Sequence, residues 1–451
     1  MAQSLTSLLE GSLYEQYLYS YPHKLAYGPI TPQRTLAEVW QREPKQALFL
    51  YAHIPYCEQR CGFCNLFTFA NPNEDQPARY LDALRRQMTG TRAALGADAT
   101  FARYAIGGGT PTYLSEDGLR RMFDDLAEVM GLDSKQASGS VETSPLTATE
   151  GRLRVLHERG VERVSMGVQS FIDDESASVG RRQSAHDVHE AVRRIRSFGF
   201  PTLNLDLMYG LPGQTTESFF ASIQAALEHR PEELYLYPLY VRPLTLLGRS
   251  PAGAGADPGW DEARLSLYRA ARDRLFSEGY AQVSMRMFRR KDVPSVDETA
   301  DYRCERDGMV GLGAGARSYT SDVHYSTAYA VGTQKVRSIL DGYLRLAPEE
   351  MDRVSWGYVL SDAEKRRRFV ILSLLHESGL DDAAYRERFG SAPADDVPEL
   401  VELLAMREPE PLVEHAGGRL VLTPAGMERS DQIGPNLMSA AVRERVTRGP
   451  A

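Results

Sequence analysis

The sequence predicts an α/β protein: a partial, open (β/α)6 barrel followed by a small helical, winged-helix-like domain. Three observations predict it. From about residue 47 onward, short β-branched or aromatic runs alternate with segments of helical period, the pattern of a parallel sheet with crossover helices. Six such units can be read along the chain, fewer than a closed barrel needs. The residues richest in chemistry stand directly after the strand runs, and parallel α/β folds bind ligands at the carboxyl ends of their strands.

The strand runs are 48–53, 102–106, 139–142, 163–167, 202–208 and 234–237. Between them lie amphipathic stretches at 77–95, 116–130, 147–159, 186–197 and 216–229. The expected organisation is a tyrosine-rich segment over 1–46, a barrel over 47–325, a connector over 326–360 and a C-terminal domain over 361–451. In that last domain Phe369, Leu372 and Leu375 keep helical spacing, and apolar runs at 412–415 and 420–422 flank Gly417 and Gly418 as a hairpin would. Thr423 and Pro424 read as the N-cap and first-turn proline of a following helix.

The chain has 451 residues, 42% of them hydrophobic, enough for one large core and a smaller one. Its net charge of −9 argues against nucleic acid, which selects a basic face. The wing-like hairpin is the one feature favouring DNA, and Asp395, Asp396, Glu399, Glu402, Glu408, Glu410 and Glu414 surround it with charge that repels phosphate. No apolar run approaches the roughly 18 residues of a membrane helix, and the first residues lack a secretory pattern. The expectation is a cytoplasmic protein with neither nucleic-acid nor membrane partners. Four cysteines fit a reducing compartment. Three of them fall between Cys57 and Cys64, where disulfides would close very small loops and leave one thiol over.

Those three carry the chemistry. Cys57, Cys61 and Cys64 follow the first barrel strand in a C-x3-C-x2-C spacing, which holds three irons of a [4Fe–4S] cubane. The fourth iron is then free to bind the amino and carboxylate groups of S-adenosylmethionine (SAM) and to pass one electron into its sulfonium. Structural zinc would need a fourth ligand, for which His53 and Cys304 are the candidates; His53 reads better as orienting the cysteine loop by hydrogen bonding, and Cys304 as a buried, inert thiol. The run Gly107-Gly108-Gly109-Thr110-Pro111-Thr112 follows the next strand and suits close backbone approach to a ligand. Glu142, Gln169, Arg181 and Asp206 stand at or after later strands. A carboxylate there can hold the SAM ammonium or a ribose hydroxyl, and Arg181 can grip a carboxylate through two N–H groups.

Other features have blander readings. Tyr235, Tyr237 and Tyr240 suit either a pocket for a planar substrate or core packing. Tyr14, Tyr17, Tyr19, Tyr21 and Tyr27 suit a cover over the barrel mouth but read better as an ordinary arm packing aromatic surface. Arg286, Arg289, Arg290 and Lys291 read as a solvated face rather than a clamp for carboxylates.

The segments YAHIPYCEQRCGFC, YAIGGGTPTYL, RVSMGVQSF and NLDLMYGLPGQT resemble the oxygen-independent coproporphyrinogen III oxidase-like branch of radical SAM enzymes. The resemblance covers roughly residues 48–318 and continues weakly beyond. It implies that Cys57, Cys61 and Cys64 hold the cluster and that Tyr51, Gly108, Glu142, Arg181 and Asp206 contact a first SAM. It further implies a second SAM, or shared contacts, at Phe63, Gly109, Thr110 and Gln169, with Tyr240 and Arg317 at two further SAM-proximal positions. The branch includes the oxidase, a haem chaperone and SAM-dependent C-methyltransferases or cyclopropanases. Leu66 stands where the oxidase typically has another cysteine, and 302–313 lacks the chaperone's His-Asn-x-x-Tyr-Trp pattern. The expectation is therefore a radical SAM enzyme that transfers a SAM-derived methyl or methylene unit to an sp2 carbon of a small molecule, using one or two SAM. Oxidative decarboxylation of a porphyrinogen propionate and haem chaperoning are the alternatives. The implied partners are a reductant such as flavodoxin or ferredoxin and, for ring closure, a separate methyltransferase.

Overall fold

The structure, a computed structural model, describes residues 11–242, 245–249, 258–294, 307–408 and 410–449. Its first strand, β1 (Gly28–Thr35), lies at one edge of the main sheet. The six expected strands follow as β2 (Leu48–Ile54), β3 (Phe101–Gly108), β4 (Ser138–Thr143), β5 (Arg163–Gln169), β6 (Thr202–Tyr209) and β7 (Glu233–Pro238). They pair in parallel in that order. The crossovers are α1 (Gln76–Leu95), α2 (Glu116–Glu128), α3 (Glu150–Glu158), α4 (Ala185–Ser197) and α5 (Thr216–Glu228). Ser115, Ser184 and Thr215 start three of them by accepting backbone N–H bonds with their side chains. Helix α3 begins later than its periodicity suggests because Thr147 is held in a turn. Its hydroxyl bonds Thr112 Oγ1 at 2.7 Å and accepts from Ser144 N at 3.3 Å, a local alternative to helix.

The sheet is wider than six strands. After α6 (Pro258–Ser277) come β8 (Tyr280–Gln282), β9 (Met287–Arg290), β10 (Met309–Leu312), β11 (Arg317–Tyr319), β12 (Val323–Ser326) and β13 (Arg353–Val359). Strand β10 pairs in parallel with β2, and β11, β12, β13 and β1 continue antiparallel from it. Strands β9 and β8 extend the other side from β7. Among the described residues the order is β1-β13-β12-β11-β10-β2-β3-β4-β5-β6-β7-β9-β8, thirteen strands with the two ends unjoined. The open barrel is as expected. Its antiparallel flanks were not: β8, β9, β11 and β12 have three or four residues each, too few to show a period, and β1 carries two prolines, which argue against a strand.

The C-terminal domain contains α7 (Asp362–Leu374) and a three-stranded sheet of β14 (Leu380–Asp381), β15 (Val413–Ala416) and β16 (Arg419–Leu422). The Gly417–Gly418 hairpin joins β15 to β16, both glycines at positive φ. Thr423 caps α8 (Pro424–Met427) by accepting from Gly426 N. Two further helices follow, α9 (Ser430–Asn436) and α10 (Ala440–Arg448). On α7, Phe369, Val370, Ile371 and Leu374 enter the core, whereas Leu372 is half-buried and Leu375 is only the C-cap.

The N-terminal arm joins the two domains. Tyr14 belongs to the barrel core, while Leu18, Tyr21 and Tyr27 belong to the core of the C-terminal domain. Gln16 N donates to Asp431 O at 3.3 Å. No helix among the described residues is long and apolar enough to cross a membrane.

Candidate functional site

The cysteine loop leaves β2 and is fastened at several backbone points. Gly62 N donates to Val179 O at 2.7 Å, Leu247 N to Gly62 O at 2.9 Å, and Thr110 N to Tyr56 O at 2.7 Å. A Cβ on Gly62 would lie 3.0 Å from Val179 O, so this position between two ligands has no room for a side chain. Cys57, Cys61 and Cys64 are unbridged and half-buried. Each sulfur has a polar side chain beside it: Thr110 Oγ1 lies 3.7 Å from Cys57 Sγ, an Arg181 N–H 3.5 Å from Cys61 Sγ, and Thr68 Oγ1 3.8 Å from Cys64 Sγ. Burial pushes the Cys57 thiol up to about 12 and raises Cys64 as well. Bare thiolates are therefore costly here, and ligation to iron would remove that cost. Three thiols on one loop, each with a polar side chain in reach, are a donor set that fits three irons of a cluster.

His53 orients the loop, as its position suggested. Its Nε2 lies 2.8 Å from Phe67 O and its Nδ1 3.2 Å from Tyr51 Oη. The carbonyl requires the proton on Nε2, so Nδ1 accepts from Tyr51. Burial pushes His53 down to about 4, which keeps the ring neutral. With both nitrogens engaged, His53 is not a metal ligand. Cys304 lies outside the described residues.

The glycine run is packed closely against its neighbours. A Cβ on Gly108 would come within 2.6 Å of the His53 ring, one on Gly109 within 2.5 Å of Tyr56 O, and one on Gly107 within 2.9 Å of the Glu142 carboxyl. These glycines let β3 press against the cysteine loop and β4. The Gly108 N–H donates to Glu142 Oε2 at 3.1 Å.

Glu142 and Asp206 face one concavity at the carboxyl ends of β4 and β6. Chain surrounds both, yet both keep open surface, as groups on the wall of an open sheet do. Burial, then the charge of Asp206, pushes Glu142 up to about 7. Burial raises Asp206 to about 6, against the 2.8 Å bond from Asn204 Nδ2 and the charges of Arg163 and Arg181. Such groups gain most from a cation placed between them. Arg181 leans on the Gly167 carbonyl and donates to Gln183 Oε1 at 2.6 Å. Gln169 ends β5 at φ 71°, where the register with β6 slips. A non-glycine residue held there is a strained strand end.

Phe63 sits half-buried against an apolar group that includes Val179, Met208, Leu211, Leu239 and Leu247. Tyr235 and Tyr237 stack at 5.8 Å and 20°, and Tyr17 meets Tyr237 edge-on at 6.5 Å. The tyrosine arm thus crosses the barrel mouth rather than packing on an outer surface. Arg286 and Arg289 are not a solvated face: they are 3% and 7% exposed. Arg286 forms an ion pair with Asp431 of α9 and also donates to the Tyr240 hydroxyl, with its Cζ 3.7 Å from the Tyr17 ring centroid. Arg289 faces Glu233 at 3.5 Å. Tyr240 is turned to that node, and Arg317 donates to the Tyr19 hydroxyl. Thr68 beside Cys64, Lys24 beside Tyr329, Arg163 at the start of β5 and the buried Asp431 were missed, since nothing around them forms a motif.

The Radical SAM superfamily profile matches residues 51–226, and the HemN C-terminal domain profile matches 360–428. The oxygen-independent coproporphyrinogen III oxidase of Cereibacter sphaeroides is 30% identical over 358 residues, 77% of each chain. The chain belongs to the HemN-like family of radical SAM enzymes. The heme chaperone HemW of Bacillus subtilis is 29% identical to this HemN-like chain over 378 residues, 83% of this chain and 95% of that one. The solved structure of coproporphyrinogen III oxidase (HemN) from Escherichia coli superposes with a TM-score of 0.80 at 25% identity, covering 93% of this chain and 96% of that one. Membership in the HemN-like family implies SAM and a [4Fe–4S] cluster, and the cysteine loop and the two carboxylates are the residues that fit them. The relatives named here are an oxidase and a haem chaperone, and they lend no support to the expected one-carbon transfer.

Proposed function

We propose that this HemN-like enzyme oxidatively decarboxylates propionate-type side chains of a porphyrinogen. One observation carries the reading: the architecture of the Escherichia coli oxidase extends over 93% of this chain, barrel and C-terminal domain alike. A shared active-site domain alone would support only the superfamily. Leu66 is 46% exposed, so replacing a cysteine there leaves the three-thiol loop whole. When bound, cluster and SAM supply a 5′-deoxyadenosyl radical. Cys57, Cys61 and Cys64 are proposed to hold the cluster. Glu142 and Asp206 are proposed to hold the SAM ammonium or ribose, and Arg181, 3.5 Å from Cys61 Sγ, would contact SAM beside the cluster. The faces of Tyr235 and Tyr237, 5.8 Å apart, suit the individual pyrrole rings of such a substrate. Each propionate would lose one hydrogen atom, CO2 and one electron to become a vinyl group, so an electron acceptor must be supplied besides the reductant.

The test is an anaerobic incubation of cluster-reconstituted protein with coproporphyrinogen III, SAM, a reductant and an acceptor, read by mass spectrometry. Vinyl products with 5′-deoxyadenosine are expected. S-adenosylhomocysteine with a methylated or cyclopropanated product would overturn the reading in favour of one-carbon transfer. Tight haem binding without turnover would overturn it in favour of a chaperone.

A further inference from the structure

Two cations at the barrel mouth lack an anion. Lys24, on the arm, donates from Nζ to Tyr329 Oη at 2.6 Å and stands 4.0 Å from the centroid of the same ring. Arg317, on β11, donates to the Tyr19 hydroxyl and lies with Cζ 4.8 Å from that ring's centroid. Its Nε is buried without a hydrogen-bond partner. Among the described residues neither side chain pairs with a carboxylate. Two nearby arginines are neutralised: Arg163, at the start of β5, by Glu233 at 2.6 Å, and Arg286 by Asp431 at 2.5 Å.

The two are near each other. Lys24 is held well below the usual lysine range first by burial and next by the charge of Arg317, with Cys64 acting the other way and Arg242 adding to the depression. Neighbouring cations whose side-chain hydrogen bonds go to tyrosine hydroxyls gain from an anion brought between them. The place is open to solutes, since Tyr19 keeps 38% exposure while Lys24 and Arg317 are half-buried. It also adjoins the chemistry. The Tyr329 hydroxyl that receives Lys24 donates to Asn65 O, one residue past Cys64. Tyr19 lies 5.2 Å from Tyr17, which faces Tyr237.

We infer that Lys24 and Arg317 form a carboxylate-binding subsite at the barrel mouth, which takes an acidic side chain of the substrate. The inference deepens the decarboxylase reading and, for the identity of the acid, rests on it. A planar substrate lying along Tyr17 and Tyr237 would put one carboxylate between the ammonium and the guanidinium. The Tyr19 and Tyr329 hydroxyls would complete its hydrogen bonds. The same chemistry would also suit the carboxylate of SAM. The substrate is favoured because Lys24 belongs to the covering arm, not to the strand ends that carry Glu142 and Asp206.

The experiment uses reconstituted holoenzyme as parent, Lys24→Met and Arg317→Gln. Three probes are titrated: coproporphyrin III, its tetramethyl ester and succinate. SAM affinity is measured separately by equilibrium dialysis. The parent should bind the free acid at least tenfold more tightly than the ester. Each variant should lose about tenfold for the acid and little for the ester, and Lys24→Met should retain parental SAM affinity. Lys24→Met removes a half-buried cation, so it is expected to fold, and Arg317→Lys should recover part of the loss. If the parent ignores both porphyrins while succinate raises its melting temperature and not that of the variants, the porphyrin reading falls and the subsite stands. An undiminished preference for acid in both variants overturns the subsite. So do lost SAM binding with that preference intact, and a parent that binds no carboxylate probe.

Discussion

Replacing Asp431 with Ala would strand a buried guanidinium. Arg286 and Asp431 are 3% and 1% exposed, and one Arg286 nitrogen reaches the two carboxylate oxygens at 2.6 and 2.5 Å. Removing one member of such a pair typically costs about 3–5 kcal/mol. Here the lower end applies, because the Tyr240 hydroxyl and the Tyr17 ring, 3.7 Å from Cζ, remain beside the orphaned charge and a desolvated cation–π contact is worth about 2 kcal/mol. The expected loss is therefore about 3 kcal/mol in urea unfolding. Removing both charges with Arg286→Met and Asp431→Leu should return most of it, since apolar replacement of a buried pair is often close to neutral. A loss below about 1 kcal/mol for Asp431→Ala, or a double variant as unstable as the single one, would refute the view that this pair fastens the C-terminal domain to the barrel.

Glu142 and Asp206 titrate near 7 and 6, above the ordinary carboxylate range. SAM affinity measured by equilibrium dialysis should accordingly fall as pH drops from 8 to 6, about where both carboxylates lose charge, and Glu142→Gln should flatten the upper part of that curve. Stability of the SAM-free protein should move the other way, because a carboxylate raised by burial favours the folded state while protonated and loses that contribution as pH rises through the folded value. Gly108→Ala would set a Cβ within 2.6 Å of the His53 ring at φ 116°, an overpacking and backbone cost of about 2–4 kcal/mol. The readouts are a lower melting temperature and poorer iron retention on reconstitution, and a variant matching the parent in both would show that the His53 ring yields freely.

The six parallel strands were legible because each carries a run long enough to show its type, and the cysteine loop because ligand spacing is local. What escaped was pairing across distance. The basic residues at 286–291 look like a wet face until Asp431, 145 positions away, is folded against Arg286 and Glu233, 56 positions away, against Arg289. Gln169 gives no sign that it will sit at positive φ, since glutamine has no preference for that region. The tyrosines of the arm show apolar surface without saying which surface they cover. The glycine run was read correctly as a point of close approach, but its nearest neighbours are His53, Glu142 and the loop itself.

The arm that crosses the mouth is seated in both domains. Leu18 and Tyr21 pack among residues beyond 358, and Gln16 bonds to Asp431 on a helix that ends at Asn436 of 451. The start of the arm has a seat in the barrel, where Tyr14 meets Tyr209 at 6.0 Å. The rest is held by helices from the far end of the chain. Loosening those helices would therefore uncover the mouth without touching a barrel strand.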